Sequence, residues 1–313
     1  MKYLDQPQIK ALLPMSECIA VMRNLFNLDP AKDLINPLRP KMILPNGGIL
    51  GMMPAYIRPY GVMGIKVISV YLQNYEKGLS SHQGIIHLFD AENGVLLLSL
   101  DADEVTAIRT AAVSALMTDL LAMDEAETLC LIGTGTQAIT HLEAIRLVRP
   151  IKRVQVWSKN PANVERFVQE QSAHHDIDFI ACPSAETAVR EADIVCTLTS
   201  SSEPLVFNPW LKAGAHVNAV GASTPNYREL APEVIFDSDV FVDNYESAGN
   251  EAGDLILAVG DKSKVRPLIK GDIHEALTKP GLVDKSCKTL FKSLGLAIED
   301  IAVAHYCWQK LLK

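Results

Sequence analysis

Gly133-Thr134-Gly135-Thr136-Gln137-Ala138 follows the apolar run TLCLI and opens a helical pattern. In such a GxGxxA string the first glycine permits a tight turn and the second lets backbone approach a pyrophosphate. Ala138 then allows close packing of helix on strand. The helix start, around Thr134, Thr136 and Gln137, offers unpaired N–H groups to phosphate oxygens. Such strings also occur in ordinary turns, and the strand–loop–helix setting is what makes this one a nicotinamide dinucleotide site. About 20 residues further on, NAD-selective sites carry an acid for the ribose hydroxyls. This chain has Trp157-Ser158-Lys159-Asn160 there, with no carboxylate. Ser158, Lys159 and Asn160 suit a 2′-phosphate, so NADP(H) is favoured and NAD(H) stays open; the plainer reading of Lys159 is a solvated surface charge.

Three cations in the first third have unusual neighbours. Lys66 interrupts the apolar run GVMGIKVISVY, Arg109 lies beside Thr110 in an Ala-rich helix, and Arg39 stands between prolines in NPLRPK. Singly, each reads as a snorkelling or surface charge. Converging on a helix start they would bind a carboxylate, with arginine as its bidentate partner.

The elements that must position these residues fall into two textures. The first third has a short helix at 16–27 and strand-like runs at 64–71, 84–89 and 95–100, with a turn at 90–94. This predicts an antiparallel meander. Asp101, three residues before Glu104, caps a long helix over VTAIRTAAVSALMTDLLA. From Glu127 the pieces TLCLIG, RVQVWS, DFIA, DIVCTLT, HVNAVG and DVFVDN are apolar and unalternated. Helical patterns at 136–148, 161–173 and 185–191 separate the earlier ones. That order predicts an α/β fold: a Rossmann-type doubly wound parallel sheet covered on both faces. A last helix lies within 288–313 and packs back on the first domain. The expected domains are 1–118 with 290–313, an α+β unit built from both chain ends, and 119–289, the dinucleotide-binding unit.

Composition narrows the class. The 313 residues, 48% hydrophobic, can bury large cores, and the net charge of -8 argues against nucleic-acid binding. No apolar run approaches the roughly 20 residues of a membrane helix, and the opening MKYLDQPQIKALLP carries charges where a signal core would lie. The six cysteines form no CxxC pair and read as reduced thiols of a cytoplasmic protein. His82 and His87, an odd number apart, would face opposite sides of one strand. No metal site is expected.

Over essentially its whole length the chain resembles the ornithine cyclodeaminase/mu-crystallin family. The matching stretches are Met53-Pro54-Ala55-Tyr56, Lys66 with Asn74, Ser81-His82-Gln83-Gly84, Ala107-Ile108-Arg109-Thr110-Ala111-Ala112 and the GTGTQA loop. They continue with Asn218-Ala219-Val220-Gly221-Ala222, Phe291-Lys292-Ser293-Leu294-Gly295 and Ala297-Ile298-Glu299-Asp300. The resemblance implies a homodimer with a substrate and dimerisation domain and a Rossmann domain. Arg39, Lys66 and Arg109 would hold a substrate carboxylate beside the nicotinamide. Ser81, His82, Arg109, Thr110, Val220, Gly221 and Ser223 would line the cofactor, with Ser293 and Leu294 closing its nicotinamide end. Thr197, Leu198 and Thr199, ending the DIVCTLT strand, join the candidate cofactor residues.

Two departures bear on chemistry. Cyclodeaminases of the family carry an Asp where this chain has Ser223, and a Glu just before the Met-Pro motif, where Gly51-Met52 stands. Ketimine reductases match both features and the GAS…P…REL pattern of 221–230. The expected activity is NAD(P)H-dependent reduction of Δ1-pyrroline-2-carboxylate or its six-membered homologue to proline or pipecolate. Lys66 is then a proton donor, directly or through water, or a carboxylate ligand alone. Ornithine cyclodeamination, reductive amination as in alanine-dehydrogenase-like relatives, and non-catalytic NADPH binding remain the alternatives.

Overall fold

The computed structural model describes residues 2–313; position 1, where the first expected domain begins, lies outside them. The chain forms two compact units. The first runs to Ala112 and resumes at Gly295–Lys313; the second is Val113–Leu294.

The first unit is built on a sheet of β1 (Lys2–Leu4), β2 (Leu34–Ile35), β3 (Lys41–Ile43), β4 (Ile49–Ile57), β5 (Val62–Val70), β6 (His82–Asp90) and β7 (Leu96–Asp101). Its order is β1-β7-β6-β5-β4-β2, with β3 also on β4. The run β5 to β7 is the expected antiparallel meander, and β4, not expected from the sequence, extends it antiparallel to β5. The period of two sends Gly51, Met53, Ala55 and Ile57 of β4 into the core. Register places Met53 opposite Lys66, and Lys66 opposite Ile86, so this lysine shares the buried face with Val62 and Gly64. The C-terminal helix Ala297–Leu311 packs on β4, β5, β6 and β7 and against the Met15–Phe26 helix. Close approach needs Gly64, since a Cβ there would stand 2.5 Å from both the His87 carbonyl oxygen and Ile301 Cδ1.

The helix Ala102–Leu121 begins at the expected cap: Asp101 Oδ1 accepts the Glu104 N–H at 2.9 Å. The second unit holds β8 (Thr128–Ile132), β9 (Arg153–Trp157), β10 (Asp178–Ala181), β11 (Ile194–Thr197), β12 (His216–Ala219), β13 (Asp239–Val242), β14 (Ile269–Asp272) and β15 (Thr289–Lys292). They form one parallel sheet in the order β10-β9-β8-β11-β12-β15-β13-β14. Strand order reverses between β8 and β11, the switch point at which doubly wound sheets bind ligands. β15 corrects the expected boundary at 289. Residues 289–292 fill the place between β12 and β13, so 290–292 belong with the parallel sheet. The four-residue strand TLFK, bracketed by lysines, carries no periodic signal. Among the described residues no helix is long and apolar enough to cross a membrane.

Gly64→Ala should destabilise the protein by about 1–3 kcal/mol, because the new methyl meets backbone as well as the flexible Ile301 tip. Denaturant unfolding reads this directly; unchanged stability would show that helix and sheet can separate there without cost.

Candidate active site

In the first unit the chemistry gathers around Lys66. It is 2% exposed, and its Nζ lies 2.7 Å from Asp300 Oδ2 and donates to Thr106 Oγ1 at 3.3 Å. Arg109 Nε donates to Asp300 Oδ1 at 3.0 Å, and its Nη1 to Glu299 Oε2 at 2.7 Å. Glu299 is fixed in turn, because its Oε1 accepts the Leu296 N–H at 3.1 Å. Gly295, at φ +77°, makes room for the guanidinium: a Cβ there would overlap Arg109 Nη1. Asn36 Oδ1 receives the Ile298 N–H at 3.1 Å, tying the start of the C-terminal helix to the segment ahead of Arg39.

This arrangement alters the expectation for two of the three cations. Lys66 and Arg109 do not wait for a substrate as bare charges; Asp300 and Glu299 already meet them. A buried cation without a partner would cost far more than these contacts cost to assemble. Burial nonetheless dominates at Lys66 and pulls its pKa down to about 8. The Asp300 charge opposes that shift, while Arg109 and Arg39 reinforce it. Arg39, half-buried, therefore adds positive potential at the same ammonium. His82 lies in that field as well: lost hydration, then the Lys66 charge, push its imidazole below the ordinary range. Its Nδ1 is 2.9 Å from Ser81 Oγ. Thr110, next to Arg109, is buried.

In the second unit Gly133 turns with φ +121°, and its N–H donates to the Trp157 carbonyl at 2.8 Å. A Cβ on Gly133 would stand 3.0 Å from the Leu198 carbonyl oxygen, so the ends of β8, β9 and β11 close on one another here. Gly135 caps the Thr136–Arg146 helix without any side-chain bond, and a Cβ there would meet nothing within 4 Å. An uncapped helix start opening on free space, with Ala138 fully buried behind it, fits a pyrophosphate. Thr134 and Gln137 flank this loop half-buried and Thr136 is exposed.

After β9, Ser158 Oγ donates to the Asn160 carbonyl at 3.1 Å, and Asn160 Oδ1 caps the next helix by accepting the Ala162 N–H at 3.1 Å. That amide oxygen is committed to structure, which leaves exposed Lys159 as the cation of this loop. Thr197, Thr199 and Gly221 are drawn together by a residue whose role was not foreseen, Glu229. The Val220 N–H donates to the Thr197 carbonyl at 3.1 Å and the Ser223 N–H to the Gly221 carbonyl at 3.2 Å. Ser293 and Leu294, both buried, donate their N–H groups to the Ala219 carbonyl at 3.0 Å and Asp243 Oδ2 at 2.6 Å. Both act through backbone, and side-chain type alone could not reveal that.

The unforeseen residues are Gly295, Glu299 and Asp300 in the first unit and Glu229, Asp254 and Lys292 in the second. Except for Asp254 they lie in stretches that carry the family resemblance, which assigns them no role; the further signal at Asp254, Lys292, Glu299 and Asp300 is charge in apolar company, as in AGDLILAV and TLFKSLGLAIED.

Comparison with known proteins agrees with this construction. Mouse (Mus musculus) ketimine reductase mu-crystallin is 36% identical over 282 residues, 89% of this chain and 86% of the relative. A Delta(1)-pyrroline-2-carboxylate reductase of Bacillus cereus is 33% identical over 308 residues, 97% of this chain and 94% of the relative. The solved structure of Thermococcus litoralis Delta(1)-pyrroline-2-carboxylate reductase, in complex with NADH and L-proline, superposes with a TM-score of 0.94. It shares 32% identity and covers 100% of this chain and 98% of that one. The model of the ornithine cyclodeaminase/mu-crystallin family matches residues 3–313, and the chain belongs to that family.

Proposed function

We propose that this protein is an NAD(P)H-dependent reductase of cyclic imine carboxylates. Its substrate is Δ1-pyrroline-2-carboxylate or the six-membered homologue, and its product proline or pipecolate. The observation that carries the reading is Lys66: a buried ammonium held by Asp300 and Thr106, within the positive field of Arg39 and Arg109. A bound reduced nicotinamide dinucleotide supplies the hydride that the imine carbon accepts.

The chain supplies the rest. Arg39 attracts the substrate carboxylate, and Arg109, held by Asp300 and Glu299, adds to the positive field that receives it. Lys66 Nζ gives its proton to the ring nitrogen, and a pKa near 8 suits a donor working close to neutrality. Asp300 keeps that ammonium charged and aimed. Acids for a second substrate amine are missing where cyclodeaminases carry them: Gly51-Met52 and Ser223 stand there, and Glu299 and Asp300 are engaged by Arg109 and Lys66.

The finer features rest on separate observations. NADP(H) is favoured because Lys159 is exposed beside Ser158 with no acid in that loop. A homodimer is favoured by the sheet face of the first unit opposite Lys66. There Met52, Tyr56, Ile65, Val67 and Phe89 are only half-buried and Met63 is 38% exposed, an apolar surface suited to a second copy. A cytoplasmic location suits five cysteines buried as free thiols.

Five measurements test this. Purified protein mixed with NADPH or NADH and Δ1-pyrroline-2-carboxylate should oxidise the cofactor, followed by absorbance; no oxidation with either would refute the activity. Reductive kcat/KM should fall as pH rises through about 8, where Lys66 gives up its proton. Lys66→Met should lower the rate by about 10²–10⁴-fold. Asp300→Asn removes the charge that raises the Lys66 pKa, so the falling limb should move to lower pH; an unmoved limb assigns it to another group. Lys159→Ala should raise KM for NADPH and leave KM for NADH nearly unchanged, whereas equal effects would rule out 2′-phosphate recognition.

A further inference from the structure

Four donors converge on one carboxylate at the carboxyl edge of the parallel sheet. Glu229 Oε1 accepts the Thr199 N–H and hydroxyl, both at 2.7 Å, and Oε2 accepts the Thr197 hydroxyl and the Gly221 N–H, both at 2.8 Å. Thr197 ends β11, Thr199 lies just beyond it, and Gly221 lies just beyond β12. The two loops touch backbone to backbone, since a Cβ at Gly221 would overlap the Thr199 carbonyl.

Glu229 is itself fixed from behind. Asp254 Oδ1 accepts the Glu229 N–H at 2.7 Å and the Leu230 N–H at 3.0 Å. Asp254 Oδ2 lies 2.9 Å from Lys292 Nζ, which also donates to the Ala219 carbonyl at 3.1 Å. All three charged side chains are at most 1% exposed. Such a network is costly unless fully paired, and its members here bind strand ends instead of filling the core.

Its position gives it a specific role. In a doubly wound sheet the dinucleotide spans the switch point, its pyrophosphate at the first helix start and its adenosine ribose at the end of the second strand. Those places are the Gly133 loop and Ser158–Asn160, so the nicotinamide half falls to the ends of β11 and β12. We infer that Glu229 is the positioning residue for the nicotinamide half of the cofactor, holding the Thr197–Thr199 and Gly221 loops in the one geometry that accepts it. The inference rests on the dinucleotide reading above and concerns the half of the ligand that reading leaves unassigned.

Direct binding separates the possibilities. An amide at 229 offers one acceptor oxygen, and its NH2 group would face backbone donors. Glu229→Gln should therefore weaken binding of NADPH and NADH by about tenfold or more, read by fluorescence titration. Binding of 5′-AMP and 2′,5′-ADP, which lack the nicotinamide half, should change by less than about twofold. Thr199→Val, which removes one hydroxyl and keeps the backbone donor, should show the same selective loss at about two- to fivefold. It decides the question if the first variant does not fold. Equal loss for dinucleotides and fragments, or no loss for either, overturns the inference. A wild-type protein that binds neither kind of ligand refutes the dinucleotide reading itself.

Discussion

Asp300 is a carboxylate with no exposure to water, and the first unit is arranged around making that tolerable. An ion taken from water into protein costs several kcal/mol even after relaxation, and only close, well-directed partners repay it. Asp300 has Lys66 from β5 on one oxygen and Arg109 from the long helix on the other. Removing one partner from such a group costs about 3–5 kcal/mol, because the charge left behind stays buried. The cluster therefore fixes three elements relative to one another: a central strand, the N-terminal half of the long helix and the C-terminal helix. It also explains why the first unit needs both ends of the chain. The strand and helix bring cations into the core, and the neutralising acids come from residues 299 and 300.

The second unit solves a similar problem. Glu229 and Asp254 carry negative charge into the interior, and Lys292 meets Asp254 from β15. Much of the compensation comes from backbone N–H groups at strand ends and from two threonine hydroxyls. Those groups lose their hydrogen bonds at the sheet edge and would otherwise look to water. In both units the buried charge thus does two things at once: it satisfies polar groups that the fold strands, and it removes freedom from loops where ligand geometry matters. Hydrophobic packing alone could have filled the same volume, but it has no directional hold on a carbonyl or a hydroxyl.

What could be read in the sequence follows the range of the interaction. The GTGTQA loop, the meander of β5 to β7 and the Asp101 cap depend on residues a few positions apart, and all were legible. So was the oddity of Lys66 and Arg109, charges that stand out against apolar neighbours. Their partners were not. Arg109 and Asp300 are separated by 191 positions, and no local pattern says which acid will meet which base. Glu299 and Asp300 open a helix, where acids are expected for reasons of helix dipole alone, and that ordinary explanation concealed their pairing role. The same masking hid β15: its lysine reads as a surface charge until the sheet shows it fully buried.

The choice of cation at each place carries a mechanistic argument of its own. Arg109 sits between two carboxylates, and its guanidinium suits that place because it never releases its proton and meets two partners in a fixed plane. Lys66 sits 2.7 Å from one of those same carboxylates, yet there the chain uses an amine. An arginine would match a carboxylate better and keep its charge at any pH of interest. Lysine differs in one useful respect, since its pKa moves readily on burial, and here it has moved to about 8. Carboxylate binding alone gives no reason to accept that loss of charge near neutrality. Proton donation requires it, because a group that cannot give up its proton cannot protonate an imine nitrogen. The pairing of a fixed cation with a titrating one, both held by Asp300, is the physical basis on which we propose proton transfer for Lys66 instead of a purely electrostatic role.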